Sequence, residues 1–541
     1  MIPTNATLLR ETIETFTQSG VKGSKAFGFY WTRKNSSFAT ALIKNFGPSE
    51  CIVLDPFLGS GTTILGAIEA PNCSLAVGIE LNQLPIENLR VTLGTESHLA
   101  SSIPAIRKSL EKLRMLYTFK LKNGTFTISK IIHDLQHGAL TPRSFLGDLD
   151  GVKTTLSESN DPQAFQEALN YYFKKIEQFG LKADLALQSN SRIAVKPGMS
   201  VSDVFGPIGF EALSQLKLDG NGDKAYSLTI GASLHLCRLT DSKSQSQFPY
   251  WYPKQEIHEK SVVDVVTKQL NVFDKMVVSG SGQIQSKVFN DFQEWKNSGS
   301  SGVLIIQGDT SMALESQIPE KSVDLVITDP PYFDQVAYSE YLKLWEHFTG
   351  FESNLEDEIV ESSRLGAGKS RQVFLNDLRR AFVQVRKAMK DGALALIYFK
   401  DSKPRNLHDF IFCVESAGFK YETQSHFSKP TYTYKQNTSQ ENTVGGDAVL
   451  VFQASDSERF FEPKPDPSIR ELDEMFIELF SQYVREFGPS TLTEALDNKL
   501  IKELYPTGYL GIINSSKHFS DLAKTTFTYD SNSRKWSLKN E

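Results

Sequence analysis

An open α/β fold built on a mostly parallel sheet is what this 541-residue sequence predicts, and three observations predict it. Residues Cys51 to Leu54 form a short apolar run that passes through Asp55-Pro56-Phe57 into the turn Gly59-Ser60-Gly61 and then a helix start at Thr62. A second apolar run, Val323 to Thr328, stops at Asp329-Pro330-Pro331-Tyr332, where two residues without a backbone donor cannot continue a ladder. Between these two runs lie some 200 residues of different texture, punctuated by Gly220-Asn221-Gly222, Ser279-Gly280-Ser281-Gly282 and Ser298 to Gly302. They read as a long mixed α/β insert.

Taken in order, residues 1 to about 24 carry Leu8, Leu9, Ile13 and Phe16 at helical spacing, and an aromatic segment from Phe27 to Trp31 precedes a second helix containing Phe38, Leu42 and Ile43. The glycine turn after Asp55 lets backbone amides approach a ligand closely. It is not a nucleoside-triphosphate loop, because no lysine follows Gly61, and it lacks the full G-x-G-x-x-G pattern. The next strand, Leu75 to Ile79, ends in Glu80, about 20 residues past the glycines, at the position where a carboxylate can accept the hydroxyls of a ribose. Isolated, that carboxylate would be an ordinary strand-end charge.

Within the insert, Pro104 to Phe119 reads as a basic helix carrying Arg107, Lys108, Lys112 and Arg114. Asp161 to Phe179 is an amphipathic helix, and Tyr226 to Ile230 reads as a short strand. The aromatics of Phe248 to Pro253 can stack on bases, although a packed loop accounts for them equally well. The sheet resumes at Gly302 to Gln307, which ends in Gly308-Asp309.

Beyond Tyr332, a charged stretch from Glu352 to Arg371 suits a loop over the cleft. A basic helix at Asn376 to Met389 leads to a strand at Ala393 to Phe399, and Asp447 to Phe452 suits an antiparallel last strand. Thr431 to Tyr434 is a candidate pocket wall. Prolines 463, 465 and 467 read as a linker to a small C-terminal domain, helical or winged.

Together, Asp55-Pro56-Phe57-Leu58-Gly59-Ser60-Gly61-Thr62-Thr63 and Asp329-Pro330-Pro331-Tyr332 resemble the cofactor and catalytic motifs of the DNA amino-methyltransferases, and both match without a substitution. The resemblance implies a Rossmann-like methyltransferase sheet split over 1–95 and 302–455. The insert, 96–301, becomes a target-recognition region and 456–541 a separate domain. It also implies S-adenosyl-L-methionine as cofactor, contacted by Thr32, Asp55, Phe57, Gly59, Gly61, Thr62, Glu80 and Asp309. Asp329, Pro330, Pro331 and Tyr332 become the catalytic set: the Asp329 carboxylate and a proline carbonyl hold the amino group of a flipped base while Tyr332 stacks on it. Neither a metal nor a covalent nucleophile is required.

The acceptor implied is adenine in double-stranded DNA. Cytosine amino groups, RNA or a protein amide are the alternatives, as is a non-catalytic cofactor-binding module. A restriction or defence-system partner fits the same family. The glycine motif precedes the catalytic motif here, whereas many relatives run in the permuted order.

The composition is that of a globular protein, with 40% hydrophobic and 23% charged residues. A net charge of −6 excludes a generally basic nucleic-acid coat, so any phosphate contact must come from a local patch. Four scattered cysteines, Cys51, Cys73, Cys237 and Cys413, contain no C-x-x-C pair. With no apolar run long enough for a membrane span, the expected location is the cytoplasm.

Overall fold

The computed structural model describes residues 4–19, 22–136, 139–180, 184–190, 195–241, 256–333, 336–362, 368–401, 403–427, 447–455 and 469–539. The aromatic cluster at 248–253, the pocket wall at 431–434 and the prolines at 463–467 lie outside the described residues.

Two parallel strands open the main sheet, β1 (Cys51–Asp55) and β2 (Cys73–Glu80). The insert follows and forms its own antiparallel sheet from β3 (Thr118–Leu121), β4 (Gly124–Gln136), β5 (Ala139–Leu149), β6 (Val152–Ser157), β7 (Thr240–Asp241) and β8 (Ile257–Lys260). The main sheet then resumes with β9 (Val288–Phe289), β10 (Gly302–Gln307), β11 (Val323–Thr328), β12 (Met389–Phe399), β13 (Phe419–His426) and β14 (Ala448–Ala454). A short hairpin, β15 (Phe527–Asp530) and β16 (Lys535–Leu538), lies near the C-terminus.

The main sheet has the order β13-β14-β12-β11-β1-β2-β10-β9. The strands from β9 to β12 pair in parallel, and β14 runs antiparallel between β12 and β13, as the sequence predicts for Asp447 to Phe452. From β1 the chain steps outward to β2 and, after the insert, to β10, then crosses back to place β11 on the other side of β1. The direction of winding therefore reverses between β1 and β11, where open α/β sheets leave a crevice at their carboxyl ends. Leu54 pairs with Val326, so the glycine turn and Asp-Pro-Pro-Tyr leave the sheet side by side. Both strands are buried almost throughout, which explains their continuous apolar runs.

β9 and the helix Phe292–Ser298 join the main sheet, although they lie within residues 96–301. The segment Tyr226–Ile230 is not a strand. It belongs to the helix Lys224–Cys237, which begins where Asp223 caps the amides of Ala225 and Tyr226, and which is buried on nearly all sides. A helix buried all round has lost the polar stripe that would have identified its period. The basic helix is likewise shorter than the sequence suggests: it runs from Ile103 to Leu113, and Phe119 falls on β3.

The core of the insert continues into the segment Phe27–Trp31 and the helix Tyr338–Thr349, with Trp345 Nε1 donating to the carbonyl of Gly231 at 2.8 Å. On the other side, apolar residues of the C-terminal part, among them Phe476, Phe480, Phe519 and Trp536, share one core with β12, β13 and β14. Among the described residues, no helix is long and apolar enough to cross a membrane.

Candidate active site

The crevice at the β1/β11 reversal opens into a cavity lined by Asp55 to Ser60, Thr62 and Thr63 from the glycine turn, Glu80 from β2, Asp309 after β10, and Asp329 and Pro331 after β11. Tyr30 to Thr32, Lys34, Tyr338, Asp357 to Ile359 and Tyr398 also line it. Nine of the twelve residues expected from the sequence thus meet in one place. Pro330, Tyr332 and Gly61 are immediate chain neighbours of those nine.

Asp55 is almost completely buried and fastens the two motifs together, because Thr328 Oγ1 at the end of β11 donates to its Oδ1 at 2.7 Å. The Phe57 amide donates to the same oxygen at 3.2 Å, and burial raises the carboxyl to about 6. Glu80 fixes the turn from the neighbouring strand: its Oε2 accepts the Gly59 amide at 2.8 Å and its Oε1 the Asn82 amide at 3.0 Å. Burial pushes Glu80 up to about 7.

Gly59 and Gly61 both have positive φ, +51° and +76°. A side chain at Gly59 would meet Tyr30 Cε1 at 3.1 Å, and one at Gly61 would meet Leu89 Cδ2 at 2.7 Å. Gly59 therefore permits the roof of the cavity to come close, whereas Gly61 permits the helix Gln83–Thr92 to pack behind the turn. Asp309 caps the helix Thr310–Gln317 by accepting the Met312 amide at 3.0 Å. Phe57 packs edge-on to Phe382.

The roof is built from distant stretches. Tyr30 stacks on Tyr338 with centroids 5.3 Å apart, and Thr32, itself at φ +53°, shares a 2.9 Å hydrogen bond with the Tyr338 hydroxyl. Glu358 accepts the Ser339 amide at 2.9 Å, and burial pushes its carboxyl up to about 8. Asp357, Glu358 and Ile359 of the charged stretch thus border the cavity.

At the catalytic motif, Asp329 faces Lys34 Nζ at 3.3 Å, and burial raises its carboxyl above the usual range while Lys34 opposes that rise. The Tyr332 hydroxyl is bonded both to Asp329 and to the backbone carbonyl of Tyr398, and its ring packs on Phe399 and Phe410. Tyr332 therefore braces the carboxylate through its hydroxyl.

Lys34, Thr328, Tyr338, Asp357, Glu358 and Tyr398 were not singled out from the sequence. Lys34, two residues after Thr32, stood close to a position singled out in the sequence. The basic helix of the insert has its own partners, Arg107 with Asp274 at 2.5 Å and Arg114 with Asp264 at 3.3 Å, so its charge is answered locally.

One comparison with known proteins falls on part of this same site. Residues 11–88 match a family model described as DNA methylase. That span holds the roof segment, the glycine turn and Glu80. The chain accordingly resembles the N4/N6 amino-methyltransferases of DNA at its cofactor motif as well as at Asp-Pro-Pro-Tyr.

Among solved structures, a provisionally assigned DNA modification methylase from Thermus thermophilus is similar at 20% identity, over 32% of this chain and 62% of that one, with a TM-score of 0.16. A second structure of that protein, complexed with S-adenosyl-L-methionine, matches at 19% identity over 32% and 61%, again at 0.16. The chain thus spans less than two thirds of these proteins' length, and superposition at this level carries no inference. No curated protein matches the chain.

Proposed function

We propose that the protein transfers a methyl group from S-adenosyl-L-methionine to the exocyclic amino group of a flipped base in DNA, and that the base is adenine. The observation that carries this reading is the direct pairing of β1 with β11, which opens the glycine turn and Asp329 into one cavity. Six carboxylates line that cavity, those of Asp55, Glu80, Asp309, Asp329, Asp357 and Glu358, against the single ammonium of Lys34 among its lining side chains. Such a lining suits a cationic ligand, since burial makes uncompensated carboxylates costly and a cation relieves that cost.

The residues present fit the cofactor. Gly59 leaves room beside the turn, Glu80 stands where ribose hydroxyls can be accepted, and Asp309 lies one strand further out at the place of an adenine contact. When bound, S-adenosyl-L-methionine supplies an electrophilic methyl group. Asp329 and the Pro330 carbonyl accept the two amino protons of the base, which favours tetrahedral character at nitrogen and directs its lone pair toward the methyl. The flipped base leaves its stack at a cost of roughly a few kcal/mol.

Expression in a host free of DNA methylation, followed by base-resolved reading of the DNA, tests this. A methyladenine mark at a defined site that disappears with Asp329→Ala is the expected result. Methylcytosine would correct the base, and absence of any mark from DNA would refute the DNA acceptor. Partner proteins of a restriction or defence system belong to the same proposal and would co-purify with the chain.

A further inference from the structure

Tyr398 is the penultimate residue of β12, 3% exposed, and its hydroxyl has no hydrogen-bond partner among the described residues. A buried hydroxyl left unpaired is costly, and native structures retain few of them without a reason. Several described contacts hold Tyr398 in place. Its backbone pairs with Val449 on β14, and its carbonyl takes the Tyr332 hydroxyl. Its ring meets Phe38 edge-on at 6.1 Å, while the Lys34 ammonium sits 5.3 Å from the ring centroid. Tyr398 also lines the cavity, together with Asp329 and Pro331.

The same ammonium lies 3.3 Å from Asp329, so the phenol and the catalytic carboxylate border one end of the cavity. Burial, with Asp329 and Asp55 nearby, holds the phenol firmly in its protonated form. It is consequently available as a donor, next to a carboxylate available as an acceptor.

Resting on the reading of the site given above, we propose that Tyr398 determines which base is accepted, by donating its hydroxyl proton to the ring nitrogen adjacent to the target amino group. Adenine at N1 and cytosine at N3 both carry a lone pair beside the amino carbon. Guanine's amino carbon lies between N1, which carries a proton, and N3, which sits on the glycosidic side of the base, and thymine has no amino group. A paired acceptor and donor therefore select an amidine edge facing away from the glycosidic bond, which adenine and cytosine present and the other two bases do not. A site built to donate to a substrate atom discriminates strongly against an analogue that lacks it.

The test is a two-by-two comparison of single-turnover methylation with saturating cofactor. Wild type and Tyr398→Phe are each given a duplex of the chain's own site, as read from host DNA, with either adenine or 1-deazaadenine at the target. Wild type is expected to lose about tenfold on 1-deazaadenine. Tyr398→Phe should be about tenfold slower than wild type on adenine and show less than about twofold further loss on the analogue. Its cofactor affinity and melting temperature should stay at or above those of wild type, since the variant removes an unpaired group. If the target proves to be cytosine, 3-deazacytosine serves as the analogue with the same expectation. A Tyr398→Phe enzyme that is as fast as wild type, or that loses the same factor on the analogue, overturns this assignment alone. A wild type that methylates no DNA overturns instead the reading on which it rests.

Discussion

Lys34 holds its ammonium 3.3 Å from the carboxylate of Asp329, joining the segment before the glycine motif to the catalytic motif across almost 300 residues of chain. Asp329 is a stronger acceptor of amino protons as a carboxylate than as a neutral acid, and burial works against the charged state. Lys34→Met should therefore raise the Asp329 carboxyl further and move the acid limb of the pH–rate profile upward. We expect a loss of about tenfold at pH 6 and less than about twofold at pH 9. A uniform loss across that range would show that Lys34 acts only by packing.

Tyr332→Phe separates propping from stacking. The variant keeps the ring against Phe399 and Phe410 but removes the hydroxyl from both Asp329 and the Tyr398 carbonyl. Methyl transfer should fall about tenfold and stability by about 1 kcal/mol, with cofactor affinity unchanged by calorimetry. Full activity in this variant would return the role of Tyr332 to its ring.

The two glycines should respond differently. Gly61→Ala places a Cβ 2.7 Å from Leu89 at a left-handed backbone position, and should cost about 2–3 kcal/mol in thermal or denaturant unfolding. Adding Leu89→Ala should restore the part of that loss attributable to the clash. Gly59→Ala, whose Cβ faces Tyr30 at the cavity, should weaken cofactor binding by more than its effect on unfolding explains. Equal behaviour of the two variants would contradict the separate roles assigned to them.

Much of this site was legible because its chemistry is local in sequence. The strand–turn–helix at Asp55 to Thr63 and the strand ended by Pro330 and Pro331 each announce themselves within a dozen residues, and the parallel sheet follows from two buried apolar runs. The roof was not legible in this way. Tyr338 and Glu358 face the glycine turn only because the insert's core holds the helix Tyr338–Thr349 in place, a relation with no periodic signature. Lys34 looks like any surface lysine until β11 brings Asp329 to it. The basic helix is the opposite case: its charges are conspicuous in sequence, while the ion-pair partners Asp264 and Asp274 sit some 150 residues away.

Glu358 offers the sharpest dependence on pH. It is 6% exposed, and its carboxyl is pushed up to about 8 by burial, from an ordinary value of 4.5. Between those two pH values the folded protein retains a proton that the unfolded chain releases, so this group's contribution to stability falls as pH rises from about 4.5 to about 8. Glu358→Gln removes the titration while preserving an acceptor for the Ser339 amide. Melting temperatures of the two proteins should therefore coincide near pH 5, and the variant should gain on wild type as pH rises toward 9. A cationic cofactor entering the cavity reverses the balance by favouring the carboxylate, so binding at pH 7 should release a proton. The calorimetric enthalpy of binding would then depend on the ionisation enthalpy of the buffer, less so in Glu358→Gln. A melting difference that stays constant from pH 5 to 9 would show that Glu358 does not titrate in this window and that its burial is compensated by a charge close by.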